Sequence, residues 1–233
     1  MGAAQSDVRN YGAEEGFPLL NGDELAYLDS IGTPLGPRPP GHVFFQEGEE
    51  TDEVLLIKSG HVKVVAGKPG HIAAIRKPGD IIGEMAFLRR KPRSASLIAY
   101  DEVHVLRISG QSWLNFLYKF PRAMHAQLVA ADERLDQATK KFVSSDSAVE
   151  RKLAQVLIEL LSLNLGERVG DRYVLRFSQR DLASLTAASL DAVKKIIRRL
   201  REAKILDTGR QTVEIWNQQV LEEIASGNET AIA

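Results

Sequence analysis

The chain has 233 residues, 44% of them hydrophobic and 26% charged, with a net charge of −1. That length exceeds the ~100–200 residues of one typical domain, so two domains are expected, and near-neutrality argues against a bulk polyanion binder while allowing local asymmetry. The absence of cysteine excludes disulfides, thiolate zinc sites, cysteine-ligated iron–sulfur clusters and cysteine nucleophiles.

Residues 1–16 are small and polar and read as a tail. Asp23 to Ile31 predict a short helix with Leu25, Leu28 and Ile31 on one face, and the Pro/Gly-rich run from Thr33 to Gly41 then breaks the periodicity. From His42 to Ile108, apolar runs such as Val54-Leu55-Leu56-Ile57 and Val62-Lys63-Val64-Val65 alternate with turns at Gly48, Gly60, Gly67, Gly70 and Gly79. Many short strands with regular turn signals predict a barrel or sandwich, here bounded at 17–111.

The period becomes helical at Ser112, and one helix is expected over 112–142. Met124, Leu128, Ala131, Leu135, Ala138 and Phe142 are spaced as the a and d positions of a heptad, flanked by charges. Such a narrow stripe suits a dimer seam; the alternative is a helix packed on its own barrel. Residues 143–147 form a polar break that reads as a hinge. A second domain follows over 148–222: a helix from Ala148 to Leu163, a hairpin from Gly166 to Phe177, two helices from Ser178 to Lys204, and a hairpin turning at Thr208-Gly209-Arg210. Residues 223–233 read as a tail. No apolar run approaches the ~18 residues of a membrane span, and no signal-peptide core follows Met1, so a cytoplasmic protein without membrane attachment is expected.

Two segments carry chemistry. In Gly83-Glu84-Met85-Ala86-Phe87-Leu88-Arg89-Arg90-Lys91-Pro92-Arg93-Ser94-Ala95, a glycine permits close backbone approach, Arg93 and Ser94 supply donors for an anion, and Glu84 supplies an acceptor for a sugar hydroxyl. In the second domain, Ser178 and Asp181 form a possible capping box and Ser189 caps the next helix. There Val193, Ile196, Ile197 and Leu200 make one apolar stripe, while Lys194, Lys195, Arg198, Arg199 and Arg201 form a basic surface suited to DNA. No catalytic constellation stands out, so no enzyme is expected, and no pair among His42, His61, His71, His104 and His125 has metal-ligand spacing.

The first segment closely resembles the phosphate-binding cassette of cyclic-nucleotide-binding domains, Gly-Glu-(Leu/Met)-Ala followed by Pro-Arg-(Ser/Thr/Ala)-Ala. The second resembles the winged helix-turn-helix of the Crp/Fnr regulators, the cyclic AMP receptor protein family of bacterial transcription regulators. Together these resemblances cover residues 17–222 and imply an α+β fold: a β-roll, a long dimerisation helix and a winged helix-turn-helix. They imply that Gly83, Glu84, Met85, Ala86, Arg93 and Ser94 bind the ligand. The family's adenine-touching hydroxyls align near Ala138 and Thr139, so Thr139 is either a base contact or an ordinary flank of the seam.

The implied DNA-facing set is Ser178, Gln179, Ser189, Leu190, Asp191, Lys194, Lys195, Arg198 and Arg199. The family's Arg-Glu…Arg reading triplet becomes Leu190, Asp191 and Lys195, and Ala187 stands where the family often has glycine. Lysine lacks the bidentate fork that reads guanine, so an altered half-site is expected. The implied effector is cyclic AMP, with no cofactor. The implied partners are double-stranded DNA, a second copy of the chain and RNA polymerase. The alternatives are a DNA-binding regulator with a vestigial pocket or another ligand such as cyclic di-GMP and, more remotely, an enzyme with a regulatory nucleotide-binding domain.

Overall fold

The computed structural model describes residues 20–67, 71–140 and 146–227, without the side chains of 134–140 and 146–147. The segments 1–19, 68–70, 141–145 and 228–233 lie outside the described residues, and with them most of both expected tails, much of the expected hinge and Phe142.

Helix α1 (Gly22–Ile31) starts with a capping box: the Asn21 side chain accepts from the Glu24 N–H, and the Glu24 carboxylate accepts from the Asn21 N–H. The β-roll follows with β1 (Thr33–Arg38), β2 (Val43–Phe45), β3 (Glu53–Ser59), β4 (Val62–Ala66), β5 (His71–Arg76), β6 (Ile81–Ile82), helix α2 (Glu84–Arg89), β7 (Ser96–Ala99) and β8 (Val103–Ser109). Two antiparallel four-stranded sheets form, in orders β1-β8-β3-β6 and β2-β7-β4-β5. β1 lies in the run from Thr33 to Gly41 where the sequence suggests only broken periodicity. It is an edge strand, where a proline's missing N–H costs no ladder bond, and its pairing with β8 shifts register between Leu35 and Arg38.

The unbroken apolar run of β3 is buried throughout because both faces of its sheet are covered. Leu55 and Ile57 turn inward to meet Phe45, Val62, Ile82, Leu97 and Val105. Val54 and Leu56 turn outward beneath α1 and two further helices, α3 (Gly110–Lys119) and α4 (Pro121–Lys140), against Leu28, Trp113, Phe116 and Ala123. The single helix expected over 112–142 is therefore two within the described residues, parted at Phe120 just before Pro121, whose ring cannot continue the preceding hydrogen-bond ladder. α3 is a lid on the β-roll core, with Trp113, Phe116 and Leu117 buried. The Arg122 guanidinium in the first turn of α4 forks onto the buried Glu24 carboxylate and ties α4 to α1.

The second domain runs α5 (Asp146–Ser162), β9 (Gly166–Val169), β10 (Arg172–Leu175), α6 (Gln179–Leu185), α7 (Leu190–Glu202), β11 (Leu206–Thr208), β12 (Val213–Ile215) and α8 (Gln218–Ser226). Asp146 and Ser147, read from sequence as the end of a hinge, belong to α5. Residues 223–226, read as the start of a tail, belong to α8, which buries Leu221 and Ile224 and ends at Gly227. The α7 stripe of Val193, Ile196, Ile197 and Leu200 is buried against Leu153, Leu157, Leu182, Val213 and Leu221. The two domains touch: Ile72 of β5 joins this second core, and Tyr100 stacks on Phe177 with ring centroids 5.2 Å apart. Among the described residues no helix is long and apolar enough to cross a membrane.

Candidate functional site

Gly83 caps α2 with φ +86°, a left-handed conformation that favours glycine. A Cβ there would lie 2.8 Å from Arg93 Nη1 and 2.9 Å from the Phe45 ring. This close approach lets the Gly83 carbonyl accept from Arg93 Nη1 at 2.5 Å. The rest of the guanidinium is held as firmly: Nε donates to Thr51 Oγ1 at 2.8 Å, and Nη2 donates to Thr51 Oγ1 and to the Glu53 carbonyl at 2.7 Å. The Phe45 ring lies 3.6 Å below the guanidinium carbon. The Arg93 backbone is pinned to the preceding turn by Arg93 N–H to Glu49 O and Gly48 N–H to Arg93 O.

Arg93 is 4% exposed. Burial pushes its pKa down, and the nearby charges of Glu49, Glu53, Asp52 and Glu84 work in the opposite direction. Its direct hydrogen-bond partners among the described residues are all neutral oxygens. They satisfy N–H groups without neutralising the charge, which remains available to an anion. The carboxylates of Glu49, Asp52 and Glu53 belong to this turn. It surrounds the arginine, and its Thr51 and Glu53 hold the side chain. Nothing in the sequence marks Thr51 or Phe45 for this task, because both act through contacts across the fold.

Gly83, Glu84, Met85, Ala86, Arg93 and Ser94 line one open cavity of about 240 Å³, together with apolar residues of the roll and Ala131 of α4. Arg76 of β5 also lines it, a second cation that the motif does not include. Glu84 is 2% exposed, and its Oε1 accepts from Gln127 Nε2 of α4 at 3.2 Å. The side chain of Thr139 lies outside those described. Along α4, Ala123, Ala126 and Gln127 are buried on the chain's own β-roll, whereas Met124, Leu128 and Val129 are exposed on the opposite side. Ala131 of the sequence stripe faces the cavity; the side chains of Leu135 and Ala138 are not among those described.

In the second domain, Ser178 and Asp181 make the reciprocal capping box, and Ser189 Oγ accepts from the Ala192 N–H. Ala187 takes a left-handed φ of +51° at the turn where a glycine would be unstrained. Asp191, Lys194, Lys195, Arg198 and Arg199 are exposed along α7, but Leu190 packs against the core. Several residues expected to face DNA have partners within the domain. The Ser178 hydroxyl donates to Asp181, and Gln179 Nε2 donates to Thr208 Oγ1 in the β11–β12 hairpin at 2.8 Å. Arg198 pairs with Glu202 at 3.0 Å, and Arg199 reaches Glu150 of α5 at 3.7 Å. Among the described residues no cluster of three or more His, Asp or Glu side chains could hold a metal ion.

Comparison with known proteins matches a cyclic nucleotide-binding domain to residues 38–120 and a Crp-like helix-turn-helix domain to residues 151–224. The chain is 27% identical over 219 residues to the cyclic AMP receptor protein of Thermus thermophilus, covering 91% of this chain and 99% of that protein. It is 26% identical over 187 residues to a CRP-like cAMP-activated global transcriptional regulator of Mycobacterium tuberculosis, covering 77% of this chain and 83% of that one. Its fold is similar to that of a c-di-GMP-responsive global regulator of Xanthomonas campestris, with a TM-score of 0.68 and 19% identity over 84% of this chain and 99% of the other.

Proposed function

This chain belongs to the Crp/Fnr family of DNA-binding transcription regulators, and we propose that it works as a homodimer whose DNA binding is controlled by cyclic AMP. The observation that carries the ligand reading is a single cavity holding a buried carboxylate, a buried guanidinium whose direct partners are neutral, and the Ser94 hydroxyl. A cyclic nucleotide presents the complement: a sugar hydroxyl for Glu84 and a phosphodiester for Arg93 and Ser94. The names of the Thermus and Mycobacterium relatives point the same way. Calorimetric titration with cyclic AMP, cyclic GMP and cyclic di-GMP tests this reading. Tightest binding of cyclic AMP is expected; tightest binding of cyclic di-GMP would overturn it.

The exposed apolar side of α4 supports the dimer. Leu128 is 69% exposed in the single chain, so a substitution there leaves the monomer's own packing intact. Leu128→Asp would bury two carboxylates against each other in a seam, at a cost of several kcal/mol. Sedimentation at micromolar concentration is expected to show a dimer for the natural sequence and a monomer for the variant. An unchanged dimer would mean that this side of α4 is not the interface.

Bound ligand, on this reading, shifts the dimer toward the arrangement in which both α7 helices meet successive major grooves, and only by its differential affinity for that arrangement. Action on DNA implies a cytoplasmic location, and control of transcription implies RNA polymerase as a downstream partner. With Leu190 packed on the core, Lys195 is the base reader we assign. Lys195→Ala is expected to weaken specific sites by about 1–3 kcal/mol more than random DNA. Selection from a random library with both proteins measures this; equal loss on all sequences would make Lys195 a phosphate contact.

A further inference from the structure

We propose that Gln127 is a positioning residue for the nucleotide site: its amide holds the Glu84 carboxylate for the ligand's ribose hydroxyl and ties that carboxylate to α4. The inference rests on the cyclic-nucleotide reading and extends it beyond the cassette to the helix that carries the exposed apolar side. Gln127 is 7% exposed and lies one helical turn before Ala131, which lines the cavity. Its Nε2 donates to Glu84 Oε1 at 3.2 Å. A carboxylate only accepts, so the amide nitrogen faces Glu84 and the amide oxygen is turned away. That oxygen, Oε1, is buried and has no hydrogen-bond partner among the described residues.

A stranded buried acceptor weakens the fold, and an apolar side chain of the same length would fill the space without it. The amide therefore contributes direction rather than stability: it fixes where one Glu84 oxygen sits. Glu84 leaves the β-roll at the first position of α2, and the Gln127 bond holds one of its carboxylate oxygens from across the cavity. That bond comes from α4, whose opposite side exposes Met124 and Leu128. A hydroxyl that donates to Glu84 thus acts on a carboxylate already bonded to the dimer-side helix. Ligand occupancy and α4 position are then linked, and the linkage is reciprocal.

The test uses the full chain and two probes, cyclic AMP and its 2′-deoxy analogue, with the variant Gln127→Met, which keeps length and removes the hydrogen bond. The natural sequence is expected to prefer cyclic AMP over the deoxy analogue. Gln127→Met is expected to lose about tenfold of that preference, with affinity for the deoxy analogue unchanged. Its melting temperature is expected to stay close to that of the natural sequence, because the loss of the Glu84 hydrogen bond is offset by removal of the stranded oxygen. Gln127→Leu gives the same comparison if the methionine variant expresses poorly. If affinity for both probes falls together, or the preference survives, Gln127 only packs and the inference is wrong. Glu84→Ala separates the two levels of the argument. Loss of preference in Glu84→Ala but not in Gln127→Met would overturn the Gln127 inference alone. Failure of the natural sequence to bind either probe, or to distinguish them, would overturn both.

Discussion

Replacing Arg122 with alanine is expected to destabilise the protein by about 3 kcal/mol at neutral pH, because it leaves the buried Glu24 carboxylate with the Asn21 N–H bond but without the charge of the Arg122 fork. Burial pushes the Glu24 pKa up, but the Arg122 fork and the Asn21 N–H bond outweigh it and leave the carboxyl below its ordinary value. A carboxyl with a lowered folded pKa contributes stability that is fully present above the unfolded value of roughly 4.3 and is lost as pH falls through the folded value. In Arg122→Ala the fork no longer offsets burial, the Asn21 N–H bond remains, and the carboxyl is expected to protonate at a higher pH than in the natural sequence. The gap between the natural sequence and the variant is therefore expected to be widest near pH 7 and to narrow toward pH 4. Denaturant unfolding at both values measures it. A loss below about 1 kcal/mol, or one of equal size at both pH values, would show that the pair does not anchor α4 to α1.

Arg93→Ala is expected to lower affinity for cyclic AMP at least tenfold, since charge-assisted hydrogen bonds contribute roughly 1.5–3 kcal/mol each. The same change leaves the Gly83 and Glu53 carbonyls and the Thr51 hydroxyl without the guanidinium, so some loss of thermal stability accompanies it. Arg93→Lys separates the two roles. Lysine keeps the charge but cannot span three acceptors set around a planar fork, so it is expected to retain part of the affinity and little of the anchoring. Titration of a folded Arg93→Ala protein with undiminished affinity would exclude the cavity as the phosphate site.

The cassette and the helix-turn-helix were legible in the chain because each is a local pattern. The turn at Gly83, the caps at Ser178 and Ser189 and the apolar stripe of α7 depend on residues within a few positions of one another. Strand texture was legible for the same reason, since alternation and glycine turns are short-range signals. Three features were not. β1 hides in a Pro/Gly-rich run because an edge strand needs only one partner, and β8 lies about 70 residues away in sequence. The break at Phe120 is marked only by Pro121, within a continuous helical period. The end of α8, residues 223–226, looks like a tail until Ile224 finds the second core beside Leu221.

The sequence by itself determined that two domains follow one another, the residue types that line the cavity and the basic, capped helix α7, because short-range backbone preference and hydrophobic period suffice for these. Only the tertiary structure decided how those residues are held: Thr51, Phe45 and the carbonyls of Gly83 and Glu53 around Arg93, Gln127 on Glu84, and Arg122 on Glu24. It also decided that Leu190 packs inward and that Gln179 and Arg199 are bonded within their own domain. Each of these pairs joins residues that chain order does not link. Burial makes each depend on the whole fold, since a charged or polar group removed from water is stable only where packing brings it a partner.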